Sequence, residues 1–518
     1  MPVKNKAIYN YPIPQINFNP KFPKLKKLND KTQIDVRYAL IPPFAFAHIY
    51  WNKKISEVVY EVESPVLDSE EEKIRKEITS AMHEMINFET VVEKKQDELL
   101  NYIDKMFKLL ISELGMNISY ETYKKIFYYL ARDFIGFNRV DPLLKDYFVE
   151  DIECNGAGTP IYIVHRKFRN LKTNVIFKNL DNLSAFVEKL AQRTGKYISY
   201  ANPILDGSLP DGSRVNATYT KDITSRGPTF TIRKFTKTPW TPPQLVALNT
   251  LSPEMLAYLW ILIQYKMNIL ITGGTASGKT TLLNAMAFFI PPEARVVSIE
   301  DTRELNLPRE NWLPSVVRNA IGLGKVGEID LFTLLRGSFR QNPDYVIVGE
   351  VRGKEAYVLF QGMASGHSSI STIHAESVDT VIKRLETPPI NLSPTLLNVL
   401  DCVCIMTHAI VNKKETRKLK EIVELVNVTS EGVAMTNTPY TWNPSDDKFY
   451  FKRHSRILEK IAKRYGLNIN ELNVEFQRRV KLLYKLYSQK IFGFNKVQEI
   501  INEYYKKPEE VLKKFGVE

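Results

Sequence analysis

The stretch "NILITGGTASGKTTLL", residues 268–283, constrains the fold of this chain more than any other. An apolar strand over residues 269–272 runs into Gly273-x-x-x-x-Gly278-Lys279-Thr280, and a helix follows at once. That order suits a loop whose backbone N–H groups curl around phosphates at a helix N-terminus. The glycines let the backbone come close, Lys279 reaches the terminal phosphates, and Thr280 offers its hydroxyl to Mg2+. A chance glycine-rich turn would have no need of the strand before it or the helix after it. The candidate nucleotide loop is therefore Gly273, Gly274, Thr275, Ala276, Ser277, Gly278, Lys279, Thr280 and Thr281.

Around this loop, from about residue 245 to 430, apolar strands alternate with helices, the pattern of a parallel α/β domain. A second strand, "ARVVSIED", ends in Glu300 and Asp301, with Glu304 one turn further on. In an open α/β sheet the carboxyl ends of parallel strands share one crevice, so these acids are expected beside the phosphates. There they can hold Mg2+ through water or take a proton from an attacking water. Which of Glu300 and Glu304 is the base stays open. A third strand, "PDYVIVGEVRG", has Asp344 at the wrong end. Glu350, reached after Gly349 lets the backbone turn, is the candidate to orient the Mg2+ water shell. In "SGHSSISTIHA" two histidines, His367 and His374, flank a fourth strand. They are candidates to read the γ-phosphate or bind a next subunit, and no cysteine accompanies them as a zinc site would require.

With 518 residues, 44% of them apolar and 25% charged, the chain can bury several cores without staples. Its three cysteines, Cys154, Cys402 and Cys404, form no C-x-x-C pair, which points to a reducing compartment and away from a disulfide framework. Cys402 and Cys404 in "CVCIMT" read as small core residues on opposite faces of a strand. No secretory signal is evident, and the most apolar stretch, residues 255–272, is broken by Gln264, Lys266 and Asn268, so no membrane span is expected.

The formal charge of +13 suits an acidic partner, a nucleic acid, an anionic membrane surface or simply a soluble basic protein. Residues 1–31 hold seven lysines against Asp30 and are rich in proline, an extended and mobile arm by composition. Residues 34–64 read as a few strands, and helical periodicity begins at Asp68 or Ser69. A mixed unit opens near "VDPLLKDYFVEDIECNG", and "TKTPWTPPQL" resists helix and sheet, marking the likeliest break. From residue 454 the chain is helical again, with either the α/β domain or a partner to pack against.

Taken in order, "GGTASGKTT", "SIEDTREL", "VIVGEVRG" and "SGHSSISTIHA" resemble the Walker A, Asp box, atypical Walker B and His box of the type II/IV secretion ATPase superfamily. Within it, "RENWLP", "LRGSFRQNPDYVIVGEVRGKEAYVLFQ" and "VEDIECNG" followed by "PIYIVH" are similar to the archaeal branch, and over most of residues 33–518 to the archaellum motor ATPase. The resemblance implies a C-terminal RecA-like ATPase domain that binds ATP and Mg2+, preceded by an α+β N-terminal domain, in subunits that assemble as a homohexamer. The segments implied are an arm over 1–32, a helix-and-strand region over 33–137, an α+β domain facing the ATP site over 138–236, a linker over 237–244, and the ATPase domain with C-terminal helices over 245–518. ATP turnover would drive a polytopic membrane platform protein from the cytoplasmic face of the membrane, alongside other archaellum or pilus motor components.

Carried over residue by residue, the resemblance puts ATP on Gly273 to Thr281, metal contacts on Thr280, Asp301 and Glu350, and catalytic roles on Glu300, Glu304, Glu350, His367 and His374. Arg214, Arg226 and Arg233 match the arginines that the preceding domain brings to the phosphates, with Arg352 and Arg340 weaker candidates for contacts between subunits. The tetracysteine zinc module of many bacterial members is missing. Three functions compete: a motor for an archaellum or type IV-like pilus, a secretion or conjugation ATPase, and a nucleic-acid-binding protein. No zinc finger or aromatic RNA-binding motif accompanies the basic charge, which makes nucleic acid the weakest.

Overall fold

The computed structural model describes residues 11–18, 20–23, 25, 30–85, 96–236, 238–318, 327–411 and 414–517. They form two units, Met1–Phe235 and Thr236–Glu518, and each holds a nine-stranded sheet among the described residues.

In the first unit the strands are β1 (Asp35–Ile41), β2 (Ala45–Asn52), β3 (Glu57–Glu63), β4 (Val149–Cys154), β5 (Pro160–His165), β6 (Arg169–Ile176), β7 (Ile204–Ser208), β8 (Arg214–Thr218) and β9 (Thr229–Arg233). They lie in the order β1-β2-β3-β6-β5-β4-β9-β8-β7. The join is β3 against β6, parallel, with Val59 opposite Lys172 and Tyr60 opposite Thr173. Residues 35–63 therefore extend the sheet of residues 149–233, although the sequence suggests a separate region up to residue 137. Three helices, Ser69–Met85, Gln96–Glu113 and Tyr120–Phe134, build a second small core of Ile78, Phe107, Tyr123 and Phe127. The first starts where its acids predict: Asp68 Oδ1 accepts the N–H groups of Glu70 and Glu71, and Glu71 Oε2 accepts that of Asp68.

The described part of the arm corrects the expectation of a mobile tail for those residues. Tyr11 packs 5.3 and 5.2 Å from the rings of Tyr120 and Tyr123 and donates to Ile118 O at 2.8 Å. Phe22 lies against Tyr38, Tyr147 and Phe148, and Asn17 N donates to Pro42 O. Tyr11, Phe18 and Phe22, interleaved with the prolines, pack partly buried against the two cores, a signal that composition alone hides. Lys4, Lys6, Lys24, Lys26 and Lys27 lie outside the described residues.

In the second unit the strands are β10 (Ile269–Gly273), β11 (Val296–Glu300), β12 (Trp312–Val316), β13 (Tyr345–Val351), β14 (Ser368–Ile373), β15 (Cys402–Val411), β16 (Lys414–Val428), β17 (Ala434–Asn443) and β18 (Lys448–Phe451). Their order is β12-β11-β13-β14-β10-β15-β16-β17-β18. The first six run parallel, and β15 to β18 continue as an antiparallel meander. β10 is buried along its whole length because it lies between β14 and β15 with both faces covered.

On one face, Ile269, Ile271, Tyr345, Ile347, Cys402 and Cys404 meet the helices Pro253–Gln264 and Lys279–Ala287 and the C-terminal helices. On the other, Leu270, Val346, Val348, Val403 and Ile405 meet the helices Leu331–Ser338, Glu355–Ala364 and Val378–Glu386. Cys402 and Cys404 thus share a face, against the expectation above, because side chains two apart on a strand point the same way. The C-terminal helices pack on the α/β domain itself: Leu482, Leu486, Ile500 and Ile501 join the core of Trp260 and Phe289, and Gln498 donates to Phe288 O at 3.1 Å.

The proline-rich break differs from its sequence reading. Pro242–Ala247 is helical, capped by Thr241, whose N–H donates to Gln244 Oε1 at 2.8 Å. Proline lacks only an N–H that the first helical turn leaves unpaired anyway, so Pro242 and Pro243 start a helix here.

Candidate active site

The phosphate loop is shaped by three left-handed residues. Gly273, at the end of β10, has φ +150°, and a Cβ there would stand 2.3 Å from Met406 O. Gly278, at φ +97°, caps the helix Lys279–Ala287, and Ala276 takes φ +57° without being glycine. The loop N–H groups and the helix N-terminus thus face the carboxyl end of the sheet, a place built for anions. Lys279 Nζ lies 3.0 Å from Gly273 O, 2.9 Å from Gly274 O and 3.3 Å from His374 Nδ1. Burial, the largest influence, lowers its pKa, and the charges of Glu350 and Glu304 act the other way.

His374 follows β14 and Glu350 ends β13, two strands that pair in parallel. His374 Nε2 is 3.0 Å from Glu350 Oε1, off the hydrogen-bonding direction, so that contact is electrostatic. On the other oxygen, Arg352 Nη2 donates to Glu350 Oε2 at 2.6 Å, and Arg352 Nη1 lies 3.9 Å from Asp301 Oδ2. Burial would raise the pKa of Glu350, but Arg352, His374 and Lys279 outweigh it and hold the carboxylate below its ordinary range. Lys279, His374, Glu350, Arg352 and Asp301 therefore form one polar chain across the ends of β10, β14, β13 and β11.

At Gly349 the strand does not end but bulges: it runs on through Glu350 to Val351, while its register against β14 shifts between Val348 and Val351. The glycine also leaves space, since a Cβ there would stand 3.0 Å from Glu300 Cγ. Asp344, at the far end of β13, accepts from Lys266 Nζ at 3.0 Å and from Arg295 N at 3.0 Å, which ties strand starts together.

The two candidate bases separate cleanly. Glu300 is 2% exposed; its Oε1 accepts the N–H groups of Glu304 and Leu305, both at 2.9 Å, and its Oε2 has no hydrogen-bond partner among the described residues. Burial pushes its pKa up to about 7. Glu304 carries an exposed side chain on a clamped backbone. Asn284, on the phosphate-loop helix, donates to Glu304 O at 3.3 Å and accepts from Asn306 N at 3.1 Å.

The family described as "Type II/IV secretion system protein" matches residues 137–434. The chain belongs to that family. An uncharacterized protein of Methanocaldococcus jannaschii is 35% identical over 89% of this chain and 87% of its own length. The type IV secretion system protein PtlH of Bordetella pertussis is 33% identical over 47% of this chain and 78% of its own. Among solved structures, the VirB11 ATPase of the Brucella suis type IV secretion system is 24% identical, covering 55% of this chain and 95% of that one, with a TM-score of 0.28.

In this secretion-family member, Thr280, Asp301 and Glu350 carry hard oxygen donors, the kind of group that would hold Mg2+ brought by phosphate oxygens, with Asp301 and Glu350 both on Arg352. His367 is not part of the cluster. It precedes β14 while His374 follows it, roughly 20 Å away at ~3.3 Å per residue, and its ring packs 4.9 Å from that of Phe339. Arg214, Arg226 and Arg233 belong to the first unit. Arg214 and Arg233 are direct partners across β8 and β9 and so share a face. Arg214 Nη2 pairs with Asp206 at 2.9 Å, and Arg233, 67% exposed, lies 3.7 Å from Asp151. Arg226 packs on Gly156, where a Cβ would meet its own Cβ at 2.5 Å. Sequence reasoning missed Asn284 and Arg417, whose Nε donates to Ala276 O at 2.9 Å. Asn284 sits five residues after Lys279, which carries no signal by itself, and Arg417 reaches the loop only through strand pairing.

Proposed function

We propose that this chain hydrolyses ATP as a homohexamer and drives assembly and rotation of the archaellum through a polytopic membrane platform protein. The convergence of Lys279, His374 and Glu350 at the carboxyl ends of β10, β14 and β13 carries the ATPase part. The family match and the archaeal sequence boxes support the motor part. The same fold serves an archaeal pilus motor or, by its likeness to PtlH, a secretion ATPase.

In this reading Gly273 to Thr281 wrap the triphosphate and Lys279 exchanges its loop carbonyls for phosphate oxygens. Thr280, Glu350 and Asp301 would hold Mg2+, which would supply charge neutralisation for the phosphates. Glu304 takes the proton of the water that attacks the γ-phosphorus as the bond to ADP breaks. Its carboxylate is exposed and its charge is felt at Lys279, whereas Glu300 is shut in and occupied by backbone N–H groups. His374 reads the occupied loop through Lys279. Arg214, Arg226 and Arg233 complete a neighbouring subunit's phosphate site. No helix among the described residues is long and apolar enough to cross a membrane; the proposed place, peripheral at the cytoplasmic face, follows from the motor reading.

The test pairs biochemistry with genetics. Lys279→Ala should lose ATP binding, and Glu350→Ala should bind ATP without turning it over. If the Glu350→Ala protein still drove filament assembly in cells, the mechanism would be wrong; if turnover ignored lipid and platform protein but rose strongly with DNA, the motor reading would fail.

A further inference from the structure

β15 and β16 run past the end of the phosphate-loop strand. Gly273, the last residue of β10, is level with Met406, yet β15 continues to Val411 and β16 returns from Lys414. Because β10 and β15 are parallel, this overhang stands at the carboxyl end of the sheet, on the side where the loop opens. His408 and Arg417 face each other within it, two residues beyond Met406.

Arg417 uses that position to reach the loop. Its Nε donates to Ala276 O at 2.9 Å, and its Cδ would lie 3.3 Å from a Cβ on Gly278. That is the only hydrogen bond the Arg417 side chain makes among the described residues, and no carboxylate there lies within ion-pair distance of it. The remaining N–H groups of the guanidinium fork make no hydrogen bond among the described residues, at the rim of a loop whose own donors and helix N-terminus already favour an anion.

A solvent-facing arginine is ordinary. One braced by its Nε on a phosphate-loop carbonyl is placed, because the Nε contact fixes the plane in which its two terminal amino groups lie. We infer that Arg417 is a nucleotide-phosphate ligand supplied by the same subunit that supplies the loop, opposite in approach to Lys279. The inference rests on the ATP reading above and adds to it a residue outside all four sequence boxes. It also gives the β15–β16 hairpin a role: occupancy of the loop pulls on a strand pair that extends through β17 and β18.

Nucleotide binding to the full chain tests this, with a fluorescent ATP analogue displaced by ATP, ADP or inorganic tripolyphosphate. Arg417→Ala should weaken ATP and tripolyphosphate alike by about tenfold, the size expected for a lost charge-assisted hydrogen bond. Arg417→Lys, which keeps charge but loses the fork, should fall between. Affinity of the unmodified chain should drop with salt more steeply than that of Arg417→Ala between about 50 and 300 mM, since one phosphate contact has gone; mere bracing of Ala276 would leave the slope unchanged. Affinity within twofold of the unmodified chain in Arg417→Ala, while Lys279→Ala still loses binding, overturns the role of Arg417 and spares the site. Weaker ATP with unchanged tripolyphosphate would instead assign Arg417 to the base and overturn the phosphate contact. If Lys279→Ala and the unmodified chain bind equally, the ATP site itself is wrong. Should Arg417→Ala lower the melting temperature, Arg417→Lys decides by affinity: an intermediate value for ATP and tripolyphosphate alike supports the phosphate contact, and affinity within twofold of the unmodified chain overturns it.

Discussion

Glu300 holds Glu304 in place: Glu300 Oε1 accepts the backbone N–H of Glu304 at 2.9 Å, and that of Leu305 at the same distance. Two acids four residues apart thus have different work. Glu304→Gln should lower kcat by roughly a hundredfold to ten-thousandfold with KM nearly unchanged, the mark of a lost general base. Glu300→Gln keeps an oxygen for both N–H groups and should lower kcat less than tenfold by the same steady-state assay, roughly the loss of modest misplacement.

The buried carboxyl also makes a stability prediction. The folded chain keeps a proton on Glu300 up to about pH 7, whereas an ordinary glutamate releases it near 4.5. Across that window the folded state binds more protons, so this residue's contribution to stability falls as pH rises and is lowest above 7. Glu300→Gln removes the slope. Denaturant melts at pH 5 and pH 8 should show the variant gaining on the unmodified chain by on the order of 1–3 kcal/mol at the higher pH. Equal slopes in the two proteins would show that Glu300 titrates normally.

Gly349 gives a steric test. A methyl group there would meet Glu300 Cγ at 3.0 Å, between the strand that carries Glu300 and the residue before Glu350. Gly349→Ala should destabilise by about 1–3 kcal/mol and lower kcat more than it raises the Kd for ATP, because the displaced groups act after binding. Loss of ATP binding with kcat intact would place the strain elsewhere.

Much of this site was legible because its parts are local. A strand, a glycine loop and a helix in one run of 16 residues set the phosphate site, and the acids of "SIED" and "GEVRG" end strands whose direction parallel topology decides. The histidines were half legible. Flanking a six-residue strand puts His367 and His374 at opposite ends of it, so spacing alone already denied them a common site. Orphan contacts were not legible: whether Glu300 or Glu304 is buried depends on Gly349 one strand away, and Asn284 and Arg417 act through backbone atoms that no motif records. The first unit misled for a different reason. The parallel joint of β3 and β6 links residues more than a hundred apart, and local patterning cannot report a pairing of that range.

His374 should be neutral with its proton on Nε2. Lys279 has only donors, so His374 Nδ1, 3.3 Å from Nζ, must accept, and the proton then sits on Nε2, 3.0 Å from Glu350 Oε1 and off the line to it. Burial lowers the pKa of this ring, so the arrangement persists at neutral pH and breaks only when the ring is protonated, below its ordinary 6.5. Long-range 15N NMR of histidine-labelled protein at pH 7 should show the Nε2–H tautomer, and finding Nδ1–H would exclude the Lys279 contact. His374→Ala should lower kcat well beyond His367→Ala, whose ring packs on Phe339 and should affect melting more than turnover.

The arm changes how a docking role for the N-terminus is to be tested. Phe22 and Tyr11 pack on separate aromatic groups of the first unit, so deleting residues 1–31 would strip apolar area from both cores as well as remove lysines. Phe22→Ala should by itself destabilise by about 1–3 kcal/mol in denaturant melts. An unchanged melt would return the arm to the status of a loose tail. Charge is separable from packing: replacing Lys4 and Lys6 with glutamine leaves Tyr11 and Phe22 untouched. If the arm couples the protein to an anionic membrane, that double variant should bind vesicles containing phosphatidylglycerol more weakly while melting as before. Equal vesicle binding would mean that the arm serves the fold and not the membrane.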